Sequence, residues 1–228
     1  MKDWKKALIL TLPVMFGYVF LGMAYGILMA RSGYGVLWSF AASTLIFAGS
    51  MQFLMVELLT GGAGLGLTAA MTLLLNSRHL FYGLSFIEKF RALGRERHYM
   101  IFSLTDETYS VLCSLTDEES TPSLMVKVAL LDQCWWVSGS VMGGIIGTHL
   151  PFDTTGIDFS MTALFVVIFI EQWLGAKSRL PAVMGLISSV VFLLLLGPDK
   201  FILPSLIVTV ALLLGAKHTI ETKVGGAV

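Results

Sequence analysis

Asn76, Ser77, Arg78 and His79 stand side by side near the end of a stretch, roughly residues 7–87, that is otherwise almost unbroken hydrocarbon. A charged arginine at the centre of a bilayer helix costs about 2.5–3.5 kcal/mol on insertion scales. Such groups stay inside membranes chiefly when they pair, line a wet cavity or touch a polar solute. Asn76 and His79, three residues apart, share one helix face. Imidazole titrates near neutral pH, and a guanidinium offers a forked donor to a carboxylate. Two readings stand: a substrate or proton site, or an interfacial helix end whose Arg78 snorkels to the headgroups.

A second cluster, Thr105-Asp106-Glu107 with Tyr109, sets adjacent carboxylates among Phe102, Leu104 and Tyr109. Such a pair can receive an ammonium group or exchange protons. Ser103, Asp106, Glu107, Ser110 and Ser114 recur at helical spacing, which predicts a helix over 99–115 with one polar stripe. That helix either crosses the membrane or lies along its surface. A third cluster, Ala48-Gly49-Ser50-Met51-Gln52-Phe53, is a small and polar interruption of an apolar segment. Gly49 permits a break that exposes backbone groups, and a tight helix crossing explains it equally well. The fourth is Asp132-Gln133 beside Trp135 and Trp136. The paired tryptophans read as an interfacial aromatic belt, with Asp132 as a water-facing or pairing group.

These clusters must be carried by membrane helices. Of the 228 residues, 56% are hydrophobic and 13% charged, against about 45–50% and 25% in soluble domains. The apolar segments fall at about 7–30, 36–59, 64–87, 126–150, 160–174, 181–197 and 201–216, several of them near the ~20 residues that span a bilayer. The fold class is all-α, a polytopic helical membrane protein of about seven or eight membrane segments, some short or broken. The basic start Lys2, Lys5, Lys6 reads as cytoplasmic, and its apolar run continues too far for a cleaved signal. Three crossings before Lys89 would place the basic group Lys89–Arg97 outside, so either an early segment is re-entrant or that loop violates the positive-inside rule. Gly22-x-x-x-Gly26 followed by Gln52-Phe53, and Gly139-x-x-x-Gly143 followed by Gln172-Trp173, suggest a faint repeat with halves 7–115 and 126–216, or simply close helix packing.

The spacing excludes several classes. Cys113 and Cys134 form no metal or disulfide pattern. The run GGAGLG at 61–66 lacks the lysine of a phosphate-binding loop, zero net charge disfavours nucleic acid, and no motif requires a cofactor. A passive channel or non-transporting subunit remains open, and a membrane-embedded enzyme has no nucleophile or metal spacing to support it.

The ordered set LPVMFGYVFLGMAYG, FAGSMQF, LLLNSRHLFYG, SLTDETYSV, LLDQCWWVSGSVMGGIIG and GIDFSMTALFVVIFIEQW resembles the AzlC family of branched-chain amino-acid permeases. The resemblance covers nearly the whole chain. It implies the large subunit of a two-component exporter of valine, leucine, isoleucine and sometimes methionine in the bacterial inner membrane, working with a small AzlD-type membrane partner. The family's characteristic polar residues fall on Gly49, Ser50, Gln52, Asn76, Arg78, His79, Asp106, Glu107, Asp132, Asp158 and Gln172. A zwitterion needs donors for its carboxylate (Asn76, Arg78, His79 and backbone near Gly49) and acceptors for its ammonium (Asp106, Glu107). Its side chain needs an apolar pocket, such as Phe47, Met51, Phe53 and Phe165. His79, Asp106, Glu107 and Asp132 are the candidates for proton coupling.

Overall fold

The computed structural model describes residues 2–149, 166, 169–170, 173–174, 179–197 and 201–225. They form helices, with no strand among them, in two compact units, Met1–Thr162 and Ala163–Val228. In the first unit the helices are α1 (Lys2–Arg31), α2 (Val36–Leu45), α3 (Gly49–Thr60), α4 (Leu65–Arg91), α5 (Arg97–Phe102), α6 (Asp106–Cys113) and α7 (Pro122–His149). The second unit holds the antiparallel pair α8 (Leu180–Leu196) and α9 (Ile202–Gly225), joined where Ser188 Oγ donates to the Ser205 carbonyl. The final helix therefore runs beyond the expected 216. Most of the expected segment 160–174 lies outside the described residues.

α1 is the backbone of the first unit. Its stretch Asp3–Arg31 is long and apolar enough on its own to cross a bilayer. It runs parallel to α7: Asp3 accepts from Lys127 (3.2 Å), and Thr11 accepts from the Trp135 indole (3.3 Å). Farther along, a Cβ on Gly139 would lie 2.6 Å from the Val19 carbonyl oxygen, and one on Gly22 2.9 Å from the Trp136 carbonyl oxygen. Gly26 and Gly143 are tighter still, pressed on Ser140 and Met23 backbone. The two small-residue motifs thus meet each other, and absence of side chains is what lets the backbones touch.

The basic groups gather at one end. Lys6 pairs with Glu119 at 2.6 Å and Lys89 with Asp117 at 3.1 Å. The Lys6 ammonium holds the Glu119 carboxyl below its ordinary value. Beneath these pairs lies a cluster drawn from the starts of α1 and α7, the end of α4, and α5 and α6: Ala7, Phe86, Phe90, Met100, Leu112 and Val128.

Two expected crossings double back instead. α2 enters from the opposite end, with Val36 against Gly144 and Ser43 bonded to Ser140. The chain leaves helical geometry at Ile46–Ala48, with Phe47 at φ +43°. α3 then returns, Gly49 under the Trp136 ring and Phe53 against Tyr25. Segment 36–59 is a re-entrant hairpin, broken just before Gly49. Residues 99–115 are likewise two half-helices, neither a crossing nor a surface helix. α5 rises from the basic end, the chain turns at Ser103–Thr105, and α6 returns alongside α4, Asp106 near His79 and Tyr109 stacked on Tyr82 at 4.5 Å. The stripe is lost with the break: Ser103 is buried while Ser110 and Ser114 are exposed. Thr105 starts the new helix because its hydroxyl caps the Thr108 N–H.

With α2–α3 re-entrant, only α1 and α4 cross before Lys89. The amino terminus and Lys89–Arg97 then lie on the same side, the arrangement that the positive-inside rule requires. In a chain without Cys113 and Cys134, single cysteines at Lys5 and Arg95 will be labelled by an impermeant thiol reagent only from the cytoplasmic side, and one at Gly62 only from the other; labelling of Lys5→Cys and Gly62→Cys from the same side, with Arg95→Cys from the opposite one, would refute the hairpin. The crossing makes a separate prediction. Gly143→Ala lowers stability in detergent by about 1–3 kcal/mol, the range for overpacking, whereas Gly17→Ala, with open space around it, leaves the melting temperature unchanged or raised.

Candidate functional site

The two hairpins enter from opposite ends and their breaks meet near the middle of the unit. Phe47 of the first faces Phe102 of the second, ring centroids 6.3 Å apart. Tyr18 of α1 stands between them, edge-on to Phe47 (6.3 Å) and to Trp136 of α7 (5.4 Å). Four helix ends converge here: the carbonyl ends of α2 and α5 and the N–H ends of α3 and α6. Each carries a partial charge, positive at N-termini and negative at C-termini, so the centre is polar even before side chains are counted.

The first break is held by a closed circuit. Gln52, fully buried, donates through Nε2 to Ser43 Oγ (3.0 Å). Ser43 donates to Ser140 Oγ (2.8 Å) and Ser140 to the Trp136 carbonyl (2.8 Å). The Trp136 indole returns a hydrogen bond to Gln52 Oε1 (2.9 Å), which also takes the Ala48 N–H (3.3 Å). Trp136 is only 3% exposed. The expectation of an interfacial belt is therefore corrected for Trp136: its ring roofs Gly49, where a Cβ would come within 3.3 Å. Ala48 gives α3 no capping side chain, and no acidic residue occupies its first turn. No carboxylate of α3 itself offsets its positive end.

The second break is acidic. Asp106 and Glu107 fill the first turn of α6. The Tyr18 hydroxyl donates to Glu107 Oε2 (2.7 Å) and lies 2.6 Å from Thr105 Oγ1. Thr105 donates to Thr108 Oγ1 (3.1 Å), and Thr108 donates to Oδ2 of Asp132 (2.9 Å). Asp132 is fully buried, not water-facing. From α4, His79 Nε2 comes within 4.0 Å of Asp106 Oδ1, both side chains about one-quarter to one-third exposed. One turn earlier on the same face, Asn76 Oδ1 is buried without a hydrogen-bond partner among the described residues.

Eight predicted positions thus come together around the two breaks: Gly49, Ser50, Gln52, Asn76, His79, Asp106, Glu107 and Asp132. Of the expected apolar pocket, Phe47, Met51 and Phe53 are buried beside them. Arg78 lies on the same helix turn as His79, but its side chain is outside the described residues, as are Asp158, Phe165 and Gln172. Sequence reasoning missed Tyr18 and Thr108, and it misplaced Trp136. The Thr-Asp-Glu triplet at 105–107 is a helix-start signal that could have exposed the second break. Nothing local marks Tyr18.

The AzlC protein family profile matches residues 13–150, from within α1 through α7. The chain belongs to the AzlC family. It is 39% identical over 213 residues to the branched-chain amino acid transport protein AzlC of Bacillus subtilis (strain 168), covering 92% of this chain and 84% of the relative. It is 38% identical over 200 residues to an uncharacterized membrane protein of Haemophilus influenzae, covering 86% and 82%. The inner membrane protein YgaZ of Escherichia coli (strain K12) is 25% identical over 177 residues, covering 74% and 72%. No solved structure matches. The chain is a multi-pass protein of the bacterial inner membrane.

The geometry separates support from candidate contacts. Gln52→Leu orphans three buried polar partners, at about 1–3 kcal/mol each, and will lower thermal stability in detergent by several degrees. His79→Gln, at a partly exposed site, will not. Equal melting temperatures for the two variants would show that the Gln52 circuit is not what holds the first break.

Proposed function

We propose that this AzlC-family chain carries the branched-chain amino acids valine, leucine and isoleucine, with unbranched methionine as a secondary substrate, outward across the inner membrane. In this reading the whole chain is one transporter domain, the large subunit of an exporter whose partner is a small AzlD-type membrane protein. Efflux is coupled to protons. The name of the Bacillus relative supports the substrate class. The observation that carries the reading is the convergence of two helix breaks inside a membrane bundle, one neutral and opening on the N–H end of α3, the other acidic.

A zwitterion fits that polarity. Its carboxylate suits the uncapped N-terminus of α3 at Gly49–Met51, with α4 supplying cationic donors at Arg78 and His79. Its ammonium suits Asp106 and the buried, unpartnered Asn76 Oδ1. Phe47, Met51 and Phe53 offer apolar surface for a branched side chain. The transport-protein name of the Bacillus relative, together with groups suited to both ends of a zwitterion, supports transport in this reading.

In cells preloaded with labelled valine, His79→Gln and Asp106→Asn will each lower the efflux rate by about tenfold or more, the size expected for losing one charge-assisted hydrogen bond. Cys113→Ser, exposed on α6, will leave it unchanged. Wild-type rates in both site variants would remove His79 and Asp106 from the pathway, and dependence of the wild-type rate on co-expression of the small partner tests the two-subunit reading.

A further inference from the structure

Glu107 and Asp132 end a single row of oxygens: Glu107 Oε2, Tyr18 OH, Thr105 Oγ1, Thr108 Oγ1, Asp132 Oδ2. Neighbours in the row are 2.7, 2.6, 3.1 and 2.9 Å apart. Every gap is a hydrogen-bond distance, and each hydrogen bond requires one proton. The three hydroxyls supply three protons for four gaps. With both carboxylates ionised, one pair of oxygens would face each other at hydrogen-bond distance with no proton between them. One added proton fills the row.

The surroundings point the same way. Tyr18 is 4% exposed, Thr105 6%, and Thr108 and Asp132 are fully buried. Oδ1 of Asp132 accepts no hydrogen bond from any described residue. An ionised carboxylate with a single donor is expensive to bury, whereas a carboxylic acid is not. The titratable groups on the elements packed around the row are Tyr25 on α1, His79 and Tyr82 on α4, Tyr99 on α5, Asp106 and Tyr109 on α6 and Cys134 on α7. His79 lies beside Asp106, and Tyr99 donates to Gln133.

We propose that Glu107 and Asp132 share one proton, relayed between them by the hydroxyls of Tyr18, Thr105 and Thr108. When Glu107 Oε2 releases its proton to Tyr18, Tyr18 passes its own to Thr105, Thr105 to Thr108, and Thr108 to Asp132 Oδ2. Each hydroxyl ends with one proton and reversed orientation, and one charge has moved from the buried carboxylate to the half-exposed one. The use of this step in antiport rests on the transport reading. The shared proton itself does not.

Infrared titration of the full chain in lipid vesicles tests it. At neutral pH the wild type should show the C=O stretch of a protonated carboxyl. Heavy-carbon labelling of aspartate carboxyls will shift that band when the proton sits on Asp132, giving the assignment without a substitution. Asp132→Asn will abolish the aspartate band. Tyr18→Phe, which keeps both carboxylates but cuts the row, will retain the band and slow its shift in heavy water by roughly tenfold, the cost of one lost hydrogen bond. Absence of any protonated carboxyl at neutral pH overturns the proposal, as does a band unmoved by both Asp132→Asn and Glu107→Gln. Counterflow of labelled valine in the same vesicles separates the two readings. A protonated Asp132 with no valine exchange removes the transport reading alone, and valine exchange without a protonated carboxyl removes the shared proton alone.

Discussion

Irregular backbone inside a membrane must be covered by protein, because hydrocarbon satisfies no N–H or C=O group. Two breaks at mid-bundle impose that demand twice, and the rest of the first unit is arranged around meeting it. The cover is the α1–α7 pair. Its glycine crossing brings the backbones into contact, so Tyr18 and Trp136 project from two touching helices into the gap between the hairpins. A wider crossing would withdraw both rings. The polar centre therefore depends on four residues, Gly22, Gly26, Gly139 and Gly143, that have no chemistry of their own.

The two breaks are satisfied in different ways. Around Gln52 every contact in the circuit has a proton: amide to Ser43, Ser43 to Ser140, Ser140 to carbonyl, indole to amide oxygen. No member titrates in the physiological range, so this break has one arrangement. Around Thr105 the row ends in carboxylates and has one proton fewer than contacts when both are ionised. A saturated neutral network rigidifies, and an ionisable one has more than one state. The α2–α3 hairpin is thus suited to be a fixed wall and the α5–α6 hairpin to be the responsive one.

Much of this was legible beforehand, and the failures have physical causes. Composition was enough for a helical membrane protein, and the ends of α1, α4 and α7 lay close to those expected, because long apolar runs define their own limits. The polar clusters around Gly49, His79 and Asp106 stood out because each is costly in hydrocarbon. A re-entrant early segment was one of two ways to account for the basic loop under the positive-inside rule, but the sequence did not decide for it. Nor did it suggest the second hairpin, since periodicity describes a face and not a reversal of direction. Ser103, Asp106, Glu107, Ser110 and Ser114 kept helical spacing across a break that one threonine cap created. Trp135-Trp136 looked interfacial because tryptophans usually are, whereas Trp136 is needed over Gly49. Tyr18 was invisible because its partners, Thr105 and Glu107, lie some ninety residues away.

Charge balance explains why a proton belongs in this centre. Asp106, Glu107 and Asp132 bring three carboxylates toward the breaks, while α4 brings His79, whose imidazole can take up a proton, beside Asp106. A zwitterionic amino acid adds no net charge, so its arrival leaves that balance as it was. Protons alter it. One on His79 sets a cation against Asp106, and one shared by Glu107 and Asp132 removes another negative charge. Together they reduce the three negative charges of these described groups to one, a change that low-dielectric surroundings favour. The charge of this centre is therefore set by its own proton inventory and not by the presence of a neutral solute, which is why its titration can be followed without one.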